Sequence, residues 1–282
     1  MDLGYQDKVV FVTGASGGIG RALAEAFAAE GARLVLQGNR SWDSLQDWLA
    51  TQDWKDRALA FRADVTEPAQ LHDAFEAARE RFGRVDVCIA NAGIWPPETF
   101  GLHESPEERV RLVIDTNLMG AMWTARSFLQ TLKRTGPRDD GDGACLLFTG
   151  STAGKFGEAG HSEYATSKAA LHGLVQSLKN EIVDLDPFGR VNLIQPGWTV
   201  THMARPALDV PGNIAKVVRT MPLRQLARAA DIARTALYLA SPKMSRHVSG
   251  ETVTVAGGME GRVQWTPDEV DENAVRERLD RD

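Results

Sequence analysis

Tyr164 is followed four residues later by Lys168, and Ser151 lies upstream of both. Residues four apart share one face of a helix, so this phenol and this ammonium project into the same space. A free tyrosine has a pKa of about 10 and is a poor proton shuttle near neutrality. A fixed positive charge beside it favours the phenolate and draws that value toward working pH. A serine hydroxyl nearby can hydrogen-bond an oxygen on which negative charge develops. A Tyr–Lys pair at this spacing also arises by chance on helix surfaces, so it takes its meaning from the rest of the chain.

The glycine-rich turn at residues 13–20 (TGASGGIG) lies between an apolar run at residues 8–13 (KVVFVT) and alanine-rich helical spacing at 21–30. In that position a helix N-terminus offers unpaired N–H groups and a positive dipole end to a pyrophosphate. Gly14 allows the tight turn, Gly18 lets phosphates approach the backbone, and Gly20 lets the helix pack closely on the sheet. The spacing is wider than the common GxGxxG fingerprint, so on the pattern alone a turn that binds nothing stays open. Gly14, Ser16 and Gly18 also fit the G-x-S-x-G nucleophile elbow of hydrolases. Only fifteen residues precede Ser16, and one strand consumes them. No room is left for the upstream loop of an oxyanion hole, so the hydrolase reading fails.

Further short apolar runs predict strands at 33–37, 58–63, 85–90, 144–149, 191–195 and 251–255. Helical patterns predict helices at 68–82 (opened by Pro68, ended by Gly83), 107–134, 162–185 and 229–240. Continuous apolar strands alternating with helices imply an α/β fold: one doubly wound parallel sheet of about seven strands with helices on both faces. A single catalytic domain is expected over residues 1–260, with a substrate lid at about 198–228 and a charged tail at 261–282. The loop 135–143 (TGPRDDGDG) is expected to be a solvated insertion on the side away from the strand ends.

With 282 residues, 43% hydrophobic and 25% charged, the chain suits one sizeable soluble domain. A net charge of −6 argues against a nucleic-acid binder. The N-terminus has neither a basic start nor an apolar run, and no stretch approaches the ~20 apolar residues of a membrane span. A cytoplasmic protein without membrane or nucleic-acid partners is expected. Cys88 and Cys145 lie in apolar strand-like runs and are expected to be buried free thiols. The six histidines are scattered without ligand-like spacing, so no metal is expected.

With the opening turn, Asn91-Ala92-Gly93, Ser151 and Tyr164-x-x-x-Lys168 in order, residues 8–258 resemble the short-chain dehydrogenase/reductase family in its one-domain, Rossmann-type branch. The resemblance implies that Gly14, Gly18, Ile19 and Gly20 form the cofactor turn. It implies that Asp64 and Val65 bind adenine, and that Asn91, Ala92 and Gly93 wall the cofactor. Asn117 would hold a water beside the active lysine, and Pro196, Gly197 and Thr201 would bind the nicotinamide carboxamide. Tyr164 would be the acid or base, Ser151 would hold the substrate oxygen, and Lys168 would lower the tyrosine pKa while binding the nicotinamide ribose. Two positions depart from the pattern: Gly150 stands where many relatives have a second serine, and Ala90 where a second asparagine is frequent.

An NAD-preferring site carries an acidic residue at the end of the second strand. Counting along this chain puts that position at Gly38, and no Asp or Glu occurs there before Asp43. Arg40, with Asn39 and Ser16, could bind a 2′-phosphate. NADP(H) is therefore favoured over NAD(H), although Gly17 stands where many NADP-preferring relatives have a basic residue. Trp95, Phe156, Trp198 and Met203 would make an apolar wall suited to a ketone or secondary alcohol, while His161, Glu158 and His202 would equally suit a hydroxylated substrate. The family analogies are 3-oxoacyl-thioester reductases and polyol or sugar dehydrogenases. An acyl-carrier partner would need a basic patch, and Lys133, Arg134 and Arg138 are diluted by Asp139 and Asp140. A non-catalytic cofactor-binding regulatory protein is the alternative of another class, opposed by the retention of Ser151, Tyr164, Lys168 and Asn117. A homo-oligomer, tetramer or dimer, is expected from Met122, Trp123, Leu171 and Leu174 on the two long helices.

Overall fold

Residues 2–263, with Thr266, Glu269, Asp271 and Asn273, are described by a computed structural model. The Val-, Leu- and Ile-rich runs form strands β1 (Val9–Val12), β2 (Arg33–Gly38), β3 (Ala58–Arg62), β4 (Val87–Ala90), β5 (Cys145–Thr149) and β6 (Arg190–Pro196). Two short strands, β7 (Thr199–Val200) and β8 (Ala227–Arg228), pair with each other apart from the main sheet, and β9 (Thr252–Val255) returns to it. The seven-stranded sheet is parallel in the order β3-β2-β1-β4-β5-β6-β9. Its direction of winding reverses between β1 and β4, where Val10 faces Val87 and Val12 faces Ile89. A crevice opens beyond the carboxyl ends of strands at such a reversal.

The helices are α1 (Gly18–Ala29), α2 (Trp42–Ala50), α3 (Pro68–Phe82), α4 (Glu107–Ile114), α5 (Gly120–Thr135), α6 (Thr152–Phe156), α7 (Ser162–Glu181), α8 (Arg205–Leu208), α9 (Asn213–Val218) and α10 (Ala229–Ala240). Alternate strand residues serve opposite faces. Val10, Val12, Leu34, Leu36 and Ile89 pack with Leu23 and Phe27 of α1 and Ile232 and Leu239 of α10. Phe11, Val35, Cys88, Leu146 and Phe148 pack on the other face with Phe75 of α3, Phe128 of α5 and Leu171 of α7. Phe11 and Phe75 stack with centroids 4.0 Å apart. Burying both faces of the sheet fixes strand register, because a one-residue slip would turn every apolar side chain to the wrong layer.

Four sequence expectations change. Helix α2 was not anticipated; it buries Leu45 against the end of β2. The predicted helix 107–134 is interrupted by a π turn at Asp115–Met119 between α4 and α5. The loop 135–143 is exposed to half-buried, as expected, but it is also anchored. Lys8 Nζ pairs with Asp140 at 3.0 Å and Asp142 at 2.8 Å, while Arg138 joins Asp86 and Asp140 at 3.4 Å and 2.8 Å. Arg138 first, and the Asp142 backbone and Lys8 after it, hold the Asp140 carboxyl well below the usual range. Leu171 belongs to the protomer's own core, with Leu174 packed against it, because α7 faces the sheet there. The expected tail lies mostly outside the described residues. Among the described residues, no helix is long and apolar enough to cross a membrane. Cys88 and Cys145 are both free and buried.

Candidate active site

A cavity of about 560 Å³ lies along the carboxyl ends of the strands at the β1/β4 reversal. At one end it is lined by Gly14, Ser16, Gly18, Ile19 and Gly20 of the turn after β1. Gly14 has φ +64°, and a Cβ on Gly20 would lie 2.3 Å from Gly14 O, so the turn closes only with glycine in these places. Helix α1 has no side-chain cap and no acidic residue in its first turn. Its first N–H groups thus face the cavity with their positive dipole end uncompensated. Asn91 ties this turn to β4: its Nδ2 donates to Thr13 O at 3.0 Å, and Thr13 Oγ1 accepts from the N–H groups of Asn91 and Ala92, each at 3.0 Å. An uncapped helix end behind a glycine turn fits the pyrophosphate of a dinucleotide.

The ends of β2 and β3 bring Asn39, Arg40, Asp64 and Val65 to the same cavity. Asn39 Nδ2 donates to Asp64 Oδ2 at 2.8 Å, and Asp64 Oδ1 accepts from the N–H and hydroxyl of Thr66 at 2.9 and 2.8 Å. Burial raises the Asp64 carboxyl, but these bonds and the Arg40 charge outweigh it and hold the group below the usual carboxylate range. The position expected to face the ribose, Gly38, does not line the cavity. A Cβ there would meet Leu45 Cδ2 at 2.8 Å, so the residue points at α2 and Asn39 occupies the cleft side. Arg40 is exposed and has no carboxylate within ion-pair distance among the described residues. Ser16 and Ser41 line the same part of the cavity.

Further along lie Ser151, Tyr164 and Lys168. Ser151 is the N-cap of α6: its Oγ accepts from Ala153 N at 3.1 Å, and its hydroxyl bonds the Tyr164 phenol. Tyr164 stands in the first turn of α7. Lys168 is 4% exposed, and its Nζ donates to Thr149 O at 2.9 Å. A Cβ on Gly93 would lie 3.1 Å from both Lys168 Nζ and Asn117 Oδ1, so glycine is what leaves the ammonium its space. Burial pushes the Tyr164 phenol up to about 12; the Ser151 hydroxyl opposes this, Glu158 adds to it and Arg262 lowers it. Burial lowers Lys168 to about 8. The expected downward pull of the lysine on the tyrosine is thus not found here. Desolvation dominates both groups, and the ammonium is turned to Thr149 O.

Lys168 allows a test on stability. Its folded pKa of about 8 lies below the ordinary 10.5, so the folded state holds fewer protons than the unfolded one between these values. The cost of burying the charge is fully present below about pH 8 and fades as pH rises toward 10.5. Lys168→Met is expected to melt higher than the parent at pH 7, with the gap closing toward pH 10. Thermal melts of the cofactor-free protein at both pH values check this, and a lower melting point for the variant at pH 7 would contradict it.

Asn117 is fully buried and lies behind the cavity rather than in its wall. Its Oδ1 accepts from Ile94 N at 2.8 Å and its Nδ2 donates to Ile94 O at 3.0 Å, so the amide is spent on pinning the segment after β4. It sits in the π turn, whose extra residue resets the helix face between α4 and α5. Pro196, Gly197 and Thr201 line the cavity as expected, as do Asn91, Ala92 and Gly93.

Of the expected substrate wall, Trp95, Trp198 and Met203 line the cavity, and Phe156 and His161 do not. Phe156 packs with Met221, Ala256 and Met259, because α6 turns its apolar end toward that cluster. His161 stacks behind Trp95 at 4.8 Å, and its Nε2 donates to Pro96 O at 3.1 Å, so it props the wall instead of forming it. Glu158, His202, Leu112 and Arg262 also line this end. Leu112 and Arg262 were missed. Leu112 looked like an ordinary helix residue, and nothing in its local sequence marks Arg262. Among the described residues, no group of three or more His, Cys, Asp or Glu could hold a metal ion.

Residues 14–260 match the family described as Enoyl-(Acyl carrier protein) reductase. The chain is similar to the 3-oxoacyl-(acyl-carrier-protein) reductase of Escherichia coli (strain K12), 31% identical over 261 residues that cover 91% of this chain and 99% of that protein. It is 33% identical over 260 residues to the L-rhamnose 1-dehydrogenase (NAD(P)(+)) of Azotobacter vinelandii, covering 90% and 96%. Among solved structures it resembles a short-chain dehydrogenase/reductase, a glucose/ribitol dehydrogenase, from Brucella melitensis. The TM-score there is 0.82 at 28% identity, over 92% of this chain and 99% of that one.

Proposed function

The chain belongs to the short-chain dehydrogenase/reductase family of oxidoreductases acting on CH–OH and C=O groups, and from that premise we propose that it moves a hydride between NADP(H) and a ketone or secondary alcohol, with Tyr164 as the acid and base. The supporting observation is that Ser151, Tyr164 and Lys168 line one cavity with the uncapped N-terminus of α1. The nicotinamide, when bound, supplies or accepts the hydride. Tyr164 gives its proton to the carbonyl oxygen in reduction and takes it back in oxidation. A phenol raised to about 12 is fully protonated at neutral pH, which suits the reductive direction. Ser151, whose hydroxyl bonds the Tyr164 phenol, donates a hydrogen bond to the same oxygen and opposes the charge developing there. Lys168 keeps two donors after bonding Thr149 O, available to the nicotinamide ribose hydroxyls. Asn117 holds the segment after β4 in place through Ile94.

The preference for NADP(H) rests on Arg40, an exposed cation at the cavity beside Ser16 and Ser41, with the amide of Asn39 where a repelling carboxylate would otherwise face the ribose. A charge-assisted hydrogen bond is worth about 1.5–3 kcal/mol. Arg40→Ala is therefore expected to lower the ratio of kcat/KM for NADPH over NADH by about 10- to 100-fold. Equal or better turnover with NADH in the unmodified protein would refute the preference. Gly38→Asp is a poor test, since its side chain would strike Leu45.

A homo-oligomer, dimer or tetramer, is also proposed. Met122 on α5 is 37% exposed with Trp123 half-buried beside it, and pairing across a twofold axis would bury them. A monomer mass in solution at micromolar concentration would contradict it.

A further inference from the structure

We propose that the substrate carries a carboxylate and that Arg262 binds it, which makes Arg262 a specificity determinant of the site to which hydride transfer was assigned above. The chain leaves β9 through Ala256 and Met259, both buried in one small cluster, and so returns over the cleft. Arg262 lines the cavity, half-buried, with Ser151, Tyr164, Trp198 and Met203. Its Nε donates to Gly157 O at 3.1 Å, just past the end of α6, and its Nη1 points to Met259 Sδ at 3.4 Å. These two contacts fix the plane of the guanidinium at the end of the helix that Ser151 caps.

Among the described residues the guanidinium has no other partner: its Nη2 makes no hydrogen bond to them, and none of their carboxylates lies within ion-pair distance. Elsewhere Arg84 pairs with Asp86 and Arg109 with Glu163, and the buried Arg190 is satisfied by the carbonyls of Leu239, Ala240 and Ser245. An arginine held in place at a cavity wall, without a counter-ion, is built to receive one from outside. Lys168 and His202 line the same region, and Glu158 is the acidic group there. Glu158 repels additional negative charge, which favours a monoanionic carboxylate over a dianionic phosphate. The charge of Arg262 is felt at the Tyr164 phenol. One small molecule can therefore present its carbonyl to Tyr164 and its carboxylate to Arg262. The substrate class is a short oxo acid or the matching hydroxy acid.

The test compares 4-oxopentanoate and 5-oxohexanoate with their methyl esters, in the parent protein and in Arg262→Gln and Arg262→Lys. Trp95 and Trp198 line the cavity, so quenching of tryptophan fluorescence reads binding with or without NADP⁺, independently of turnover. The parent is expected to bind at least one acid tenfold or more tightly than its ester. Arg262→Gln should erase that preference and Arg262→Lys keep part of it, with the acid-to-ester ratio of kcat/KM moving in parallel. No preference for either acid in the parent, or a preference that survives in Arg262→Gln, would overturn the proposal. Where an Arg262-dependent preference in binding appears without turnover of acids or esters, the anion site stands and hydride transfer to such carbonyls fails. Where acids and esters turn over with the same ratio in parent and variant, hydride transfer stands and the anion site fails.

Discussion

Tyr164→Phe is expected to retain less than a tenth of the parent's turnover, with a loss of about 10²–10⁴-fold in kcat, while NADPH affinity stays within about twofold. The phenyl ring keeps the packing of the half-buried tyrosine in the first turn of α7, so the cavity holds its shape. What disappears is the phenol hydroxyl that lines the cavity with Ser151 and that, on the proposed function, gives its proton to the substrate oxygen. Ser151 would still donate a hydrogen bond, and Lys168 would still bond Thr149 O. A steady-state kcat with a ketone, set beside a fluorescence titration with NADPH, separates the two effects. Turnover above a tenth of the parent value would remove Tyr164 from the proton path.

The second large effect is on stability. Arg109 of α4 donates through Nε to Glu163 Oε1 at 2.8 Å, and Glu163, 1% exposed at its side chain, immediately precedes Tyr164. The same arginine donates to Glu98 O and lies over the ring of Phe100 at 5.1 Å. It thereby ties the segment after Trp95 to the start of α7. Arg109→Met would leave the Glu163 carboxylate buried without a partner, which costs about 3–5 kcal/mol. For a chain of this size, a fall in melting temperature of roughly 10 °C follows. Arg109→Met with Glu163→Met together should recover most of that loss, because no uncompensated charge then remains. Thermal melts of both variants measure the difference. A double variant no more stable than the single one would show that packing, and not the stranded charge, sets the cost.

Much of this was legible along the chain. Strands β1 to β6 were visible as apolar runs, and the turn of Gly14, Gly18 and Gly20 was visible from its place before an alanine-rich helix. Tyr164 and Lys168 were visible from their spacing on one helix face, and Ser151 from its place after β5 in the family's motif order. Gly38 against Asn39 shows the limit at a strand end. An error of one residue exchanges a side chain facing α2 for one facing the cleft. Helix α2 had Ser41 before it and Trp42, Leu45 and Leu49 at helical spacing. Its tryptophans, serine and aspartates are weak helix formers, and the signal was overlooked. The π turn inserts one residue into a long apolar pattern and leaves too little trace in the periodicity to be read. Phe156 and His161 were placed correctly along the chain but not around their elements, since which neighbour an aromatic ring meets depends on tertiary packing. Arg262 reaches the cleft because Met259, three residues before it, is anchored in the cluster with the distant Met221, and no local pattern records that.

The most direct measurement uses NADPH deuterated at the transferring position of its nicotinamide ring, with mass spectrometry of the alcohol formed from a panel of aliphatic ketones and oxo acids. Hydride transfer predicts deuterium on the carbinol carbon with the parent protein, a faster reaction with labelled NADPH than with labelled NADH, and almost no labelled product from Tyr164→Phe. Alcohol formed without deuterium, or no alcohol from any carbonyl with either cofactor while both bind, would contradict it.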